Sequence, residues 1–160
     1  GEGVATSTVL AYAQELASLA EFYADHSADN ITTLEVNFAV NSALSYGLSS
    51  SLLQIALHGP KEFESSAFTS LNQLLHHSSR NGLESVLNSL ANMDLSQLSQ
   101  ENNTRLAYLL RAIANHSEFD QTISEQLKNV IKYAQSACTD KKCQKEFNQI
   151  LEDEITSLEV

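Results

Sequence analysis

The chain has 160 residues, of which 42% are apolar and 18% charged. That is enough to bury a core and too apolar for a disordered chain. The formal charge is −11, and Glu2, Glu15, Glu21, Asp25, Asp29 and Glu35 face no Lys or Arg anywhere in residues 1–60. This balance disfavours nucleic acid and anionic membrane surfaces as partners, since both require clustered cations.

One proline and five glycines leave little punctuation for a many-stranded sandwich. Leu, Ala, Ser, Gln and Glu dominate and favour helix. The expectation is an all-α single domain over residues 1–160, a bundle of six to eight helices around a central charge-free helical segment. Gly1-Glu2-Gly3 lacks the basic start and apolar run of a signal peptide, so the chain reads as mature or trimmed.

A first helix is predicted from about Thr8 to Ala24, with Val9, Tyr12/Ala13, Leu16, Leu19/Ala20 and Tyr23 as its apolar stripe. A polar loop follows over Asp25–Asn30. Thr32-Thr33-Leu34-Glu35 fits a capping box that would start the second helix. Val36 to His58 then contains no charged residue. Asn37, Asn41, Ser42, Ser45, Ser49, Ser50, Ser51 and Gln54 make this run too polar to span a membrane. Val36, Val40, Ala43/Leu44, Leu48, Leu52 and Ile55 recur at helical spacing. A helix without charge on any side is surrounded by other helices. Gly47 in its middle predicts a break near Gly47–Ser50. Such a segment either fills the core or lines an apolar ligand cavity through Phe38, Leu44, Leu48, Leu52 and Ile55.

Gly59-Pro60 is the strongest stop, with Pro60 suited to the first position of the next helix. Phe63, Ala67/Phe68, Leu71 and Leu74/Leu75 form that helix's stripe. Arg80 is expected near its end and Gly82 as its closure. Asn81-Gly82-Leu83-Glu84 offers a start for a short helix to about Asn92. Ser99 caps a helix carrying Leu106, Leu109/Leu110 and Ile113. Ser117-x-x-Asp120 starts another, to about Ala137, and a last helix runs from about Asp140 to Leu158.

Cys138 and Cys143 on one continuous helix would sit about 140° apart and over ~7 Å along the axis, too far for a disulfide. Thr139 and Asp140 are good N-caps. A turn there would bring the thiols together, so a disulfide joining the last two helices is expected. Two cysteines without a nearby histidine do not make a metal site, and a Cys-x-x-Cys redox motif is absent. Three Asn-x-Ser/Thr sequons start at Asn30, Asn102 and Asn115, each near a predicted helix end, and with the cysteine pair they point to a secreted glycoprotein. His58, His76, His77 and His116 fall at predicted helix C-termini, where the helix dipole favours the protonated ring, and form a candidate pH-sensing set. Nucleophile-elbow, phosphate-loop, dinucleotide and di-metal carboxylate motifs are absent, so no catalytic residue, metal or cofactor is assigned and the chain is read as a non-enzyme.

The segments NSALSYGLSSSLLQIAL and FESSAFTSLNQLL resemble, in composition, the soluble helical domains of spider silk proteins. The resemblance covers roughly Val36–Leu90 and implies a bundle that keeps a protein soluble and assembles in response to pH and salt. The Cys-x4-Cys pair and the lysine-bearing C-terminal third depart from that pattern. The leading functional expectation is a secreted module for protein–protein interaction or self-assembly. The alternative is a helical carrier enclosing a lipid or another apolar small molecule.

Overall fold

The computed structural model describes residues 2–26 and 30–155, without the side chains of Glu2, Val4, His26 and Asn30. It is all-α: α1 (Glu2–His26), α2 (Asn30–Ala43), α3 (Ser49–His58), α4 (Glu64–His76), α5 (Arg80–Ala91), α6 (Gln100–Ala114), α7 (Gln121–Ala137) and α8 (Lys141–Ile150). Wide π-type turns occupy Leu44–Leu48 and Leu151–Ile155, and a 3₁₀ turn precedes α4 at Lys61–Phe63. No strand occurs among the described residues. No helix there is long and apolar enough to cross a membrane. The helices group into two compact units, Gly1–Val86 and Leu87–Val160, with the boundary inside α5.

In the first unit α4 packs against α1 and α3, and α1 packs against α2. Alanines at 13, 17 and 20 are buried on α1, so its neighbours approach closely. The charge-free run enters this core as expected. Val40, Leu44, Leu48, Leu52, Leu53 and Ala56 are all buried. The run is also broken where glycine predicted it: Gly47 has φ 136°. An L side chain there would be strained. The Ser49 N–H reaches back five residues to the Leu44 carbonyl, which widens the turn.

The polar residues of the run are not idle. The Asn41 side-chain oxygen accepts from the N–H groups of Ser79 (2.9 Å) and Gly82 (3.1 Å), satisfying two donors at the start of α5. Its amide nitrogen donates to the Asn37 carbonyl (2.8 Å). Ser85 Oγ donates to the Leu44 carbonyl at 2.7 Å and lies 3.0 Å from the Oγ of fully buried Ser49. A Cβ on Gly82 would stand 2.6 Å from that of Ser78 and 3.1 Å from the Asn41 oxygen, so this contact requires glycine. Asparagine and serine thus fasten α5 to the wide turn without burying a charge.

Several boundaries differ from the sequence expectation. α1 begins at Glu2 rather than Thr8. α2 begins at Asn30, so Thr32 and Glu35 lie within it rather than forming its start. Pro60 precedes the 3₁₀ turn instead of opening a helix. Arg80 and Gly82 belong to the first turn of α5, not the end of α4, and Arg80 pairs with Glu84 at 2.8 Å. The cap of α7 is Asp120, whose carboxylate accepts from Ile123, rather than Ser117. α8 ends at Ile150, and residues 156–158 of the expected last helix lie outside the described residues.

In the second unit α6, α7 and α8 pack on one another around Leu106, Leu110, Ile113, Leu127, Ile131 and fully buried Phe147. Ser99 caps α6 as expected, accepting from Asn102. The acidic run Glu152-Asp153-Glu154 is held rather than freely solvated: Arg111 reaches Asp153 at 3.3 Å and Glu154 at 3.2 Å. Cys138 and Cys143 form a disulfide with Cα atoms 5.8 Å apart. The turn between them is the expected one, with the Asp140 carboxylate accepting from the Cys143 N–H at 2.8 Å.

Candidate functional site

α1 and α2 each carry two apolar stripes. The inner stripes are Leu10, Ala13, Leu16/Ala17 and Ala20 on α1, and Val36 and Val40 on α2; all are buried except Val36, which is half-buried. The outer stripes face solvent. On α1 they are Tyr12, Leu19 and Phe22; on α2 they are Ile31, Leu34 and Phe38, with Phe38 73% exposed. Tyr46, beside the glycine in the wide turn, is 91% exposed. Seven large apolar side chains exposed on neighbouring elements exceed the scattered single ones of an ordinary surface. The spacing 31, 34, 38 places three of them on one face of α2.

The charged residues on these two helices whose side chains are described are Glu15, Glu21, Asp25 and Glu35, all exposed. Glu15 stands between Tyr12 and Phe22 in sequence, and Glu35 between Leu34 and Phe38. Glu15 and Glu35 flank the outer stripes, Glu21 and Asp25 lie towards His77, and neither helix carries a Lys or Arg.

The sequence-derived positions fall in different places. Leu44, Leu48, Leu52 and Ile55 are buried, whereas Phe38 is on the outer face, so the five do not line one space. A partly open cleft of about 190 Å³ lies instead in the second unit, beside the disulfide, with Leu95, Gln97, Asn103, Thr139, Lys142 and Glu146 in its lining. Gln97 in its lining has φ 59°, the left-handed region. The lining mixes charged and apolar groups and includes no residue of the charge-free run.

His76 and His77 adjoin, their rings 5.0 Å apart and edge to face. The His77 Nε2 is buried and makes no hydrogen bond among the described residues. Burial holds its pKa below the ordinary imidazole value, aided by the neighbouring His76 and opposed by Glu21 and Asp25 of α1. His58 is exposed at the end of α3. His116 follows α6 in the second unit, and its Nδ1 accepts from the Glu118 N–H at 3.0 Å. Only His76 and His77 are brought together. Among the described residues no three His, Cys, Asp or Glu side chains are placed to hold a metal ion.

Of the three sequons, Asn115 is exposed just beyond α6. Asn102 is 3% exposed, and its side-chain oxygen accepts from Arg105, which leaves no room for a glycan in the folded chain. The Asn30 side chain lies outside the described residues.

The outer stripe was readable in principle. Ile31, Leu34 and Phe38 fall off the Val36–Val40–Leu44 line yet repeat at helical spacing themselves. A helix with two apolar stripes has two surfaces to cover. No protein-family model matches the sequence, and no curated protein matches it.

Proposed function

We propose that this chain is a non-enzymatic helical module for protein–protein association, working through the outer face of α1 and α2. The observation that carries this reading is the exposure of Tyr12, Leu19, Leu34, Phe38 and Tyr46 on adjacent elements of one compact unit. Exposing such side chains costs solubility unless a partner covers them. The Cys138–Cys143 disulfide supports placing the module in an oxidising, extracellular setting, and the exposed Asn115 sequon is available for a glycan there. The silk-like resemblance agrees with an assembling role. The carrier reading has less support, because the cavity lining it requires is divided between core and surface.

Site-specific photocrosslinking tests the proposal. Phe38→p-benzoylphenylalanine, in the chain's native secretions or tissue extract, should give discrete protein adducts, and adding Leu34→Ser should suppress them by about tenfold. The same photoreactive residue in place of Lys145, on α8, should give none of these adducts. Equal labelling from both positions, or adducts indifferent to Leu34→Ser, would overturn the reading.

A further inference from the structure

The nature of the partner follows from charge, given the reading of this face as an association surface. We propose that the α1–α2 face receives an amphipathic helix of another protein that carries Lys or Arg beside its apolar stripe. A knob-bearing helix face laid across two packed helices is an established recognition mode, and the flanking charges set the choice of partner. Here the described charged side chains beside the outer stripes are the acids Glu15 and Glu35, whereas Glu21 and Asp25 of α1 lie towards His77.

A second copy of the chain does not supply that helix. Face against face, it would bring acid against acid. Its cations lie elsewhere, beside at most one exposed large apolar side chain per described helix: Tyr108 on α6, and on α7 Tyr133, whose hydroxyl donates to the Met93 carbonyl. α8 exposes Lys141, Lys142 and Lys145, but its apolar residues Cys143, Phe147 and Ile150 are buried. α7 buries Ile123, Leu127, Val130 and Ile131. On α6 the exposed Tyr108 stands between Arg105 and Arg111. Arg105 lies 3.9 Å from Glu101, and Arg111 already holds Asp153 and Glu154. No described helix of this chain therefore presents a stripe and cations together on its surface. An anionic lipid surface is repelled by the same acids.

The test uses the intact protein and fluorescent synthetic helices. One carries a Leu/Phe stripe flanked by Lys, a second the same stripe flanked by Glu, and a third the Lys flanks with Ser replacing the stripe. Anisotropy titrations should show the first binding at least ~tenfold more tightly than either control, with affinity falling as salt rises. Leu34→Ser with Phe38→Ser should lose about tenfold or more. Glu15→Gln with Glu35→Gln should lose several-fold and flatten the salt dependence, both double variants keeping the parent's circular dichroism.

Equal binding of the Lys- and Glu-flanked helices would overturn the basic partner. So would salt-independent binding, or binding indifferent to the two double variants. Sedimentation of the protein alone separates this inference from the reading beneath it. Homodimerisation lost in Leu34→Ser/Phe38→Ser would keep the association face and overturn the basic partner. Failure to bind any helix or copy, or binding only to phosphatidylcholine vesicles, would overturn both.

Discussion

At the scale of single residues, His77 shows how burial and charge compete. Its ring is held below the ordinary imidazole pKa of about 6.5 because desolvation and His76 outweigh Glu21 and Asp25. The consequence for stability has a definite sign. The unfolded chain takes up a proton near pH 6.5 while the folded chain does not, so the contribution is complete above that pH. It is lost as pH falls from about 6.5 through the lower folded-state value. His77→Gln should therefore flatten the pH dependence of urea unfolding between about pH 7 and 5. A variant with the parent's slope would show that other groups set it.

Elements meet through features of unequal legibility. The α7–α8 junction could be read directly, because Asp140 as a cap and two cysteines five apart admit one geometry. The closed loop is short, and the chain-entropy model gives it about 2 kcal/mol. Cys138→Ser with Cys143→Ser should lower the unfolding free energy by roughly that amount, measured by denaturant titration, with reductant no longer affecting stability. A loss below about 0.5 kcal/mol would mean that the Asp140 cap alone holds the junction. The start of α5 was not legible. Its donors are satisfied by Asn41, some forty residues away, and local capping rules register only neighbours. The same limit explains the misplaced role of Arg80: a basic residue suits a helix end, but a partner four residues on, such as Glu84, suits it equally to a beginning. The outer face of α1 and α2 was hidden for a different reason. Helical spacing alone points apolar side chains to the interior, although nothing requires every one to be buried.

For the whole molecule the governing quantity is the charge of −11. Nine cations cannot pair with twenty acids, so self-repulsion opposes the compact state at low salt. Raising ionic strength from about 0.01 to 0.15 M shortens the screening length from roughly 30 to 8 Å. It also weakens pairs such as Arg111 with Asp153 and Glu154, each worth about 1 kcal/mol or less at the surface. Repulsion is spread over more groups, so the melting temperature should rise by a few degrees over that range, as calorimetry would show. A fall would mean that the pairs outweigh the repulsion.

The wide turn at Gly47 has one more effect, on helical phase. Phe38 and Leu52 are separated by fourteen positions, close to four complete α-turns, so an unbroken helix would aim them in the same direction. Yet Phe38 is 73% exposed and Leu52 is fully buried. One periodic pattern has been cut into two lengths and given opposite surroundings. The phase that faces solvent before the glycine is thus buried after it, while Val40 and Leu44 before it and Leu48 and Ile55 after it are buried alike.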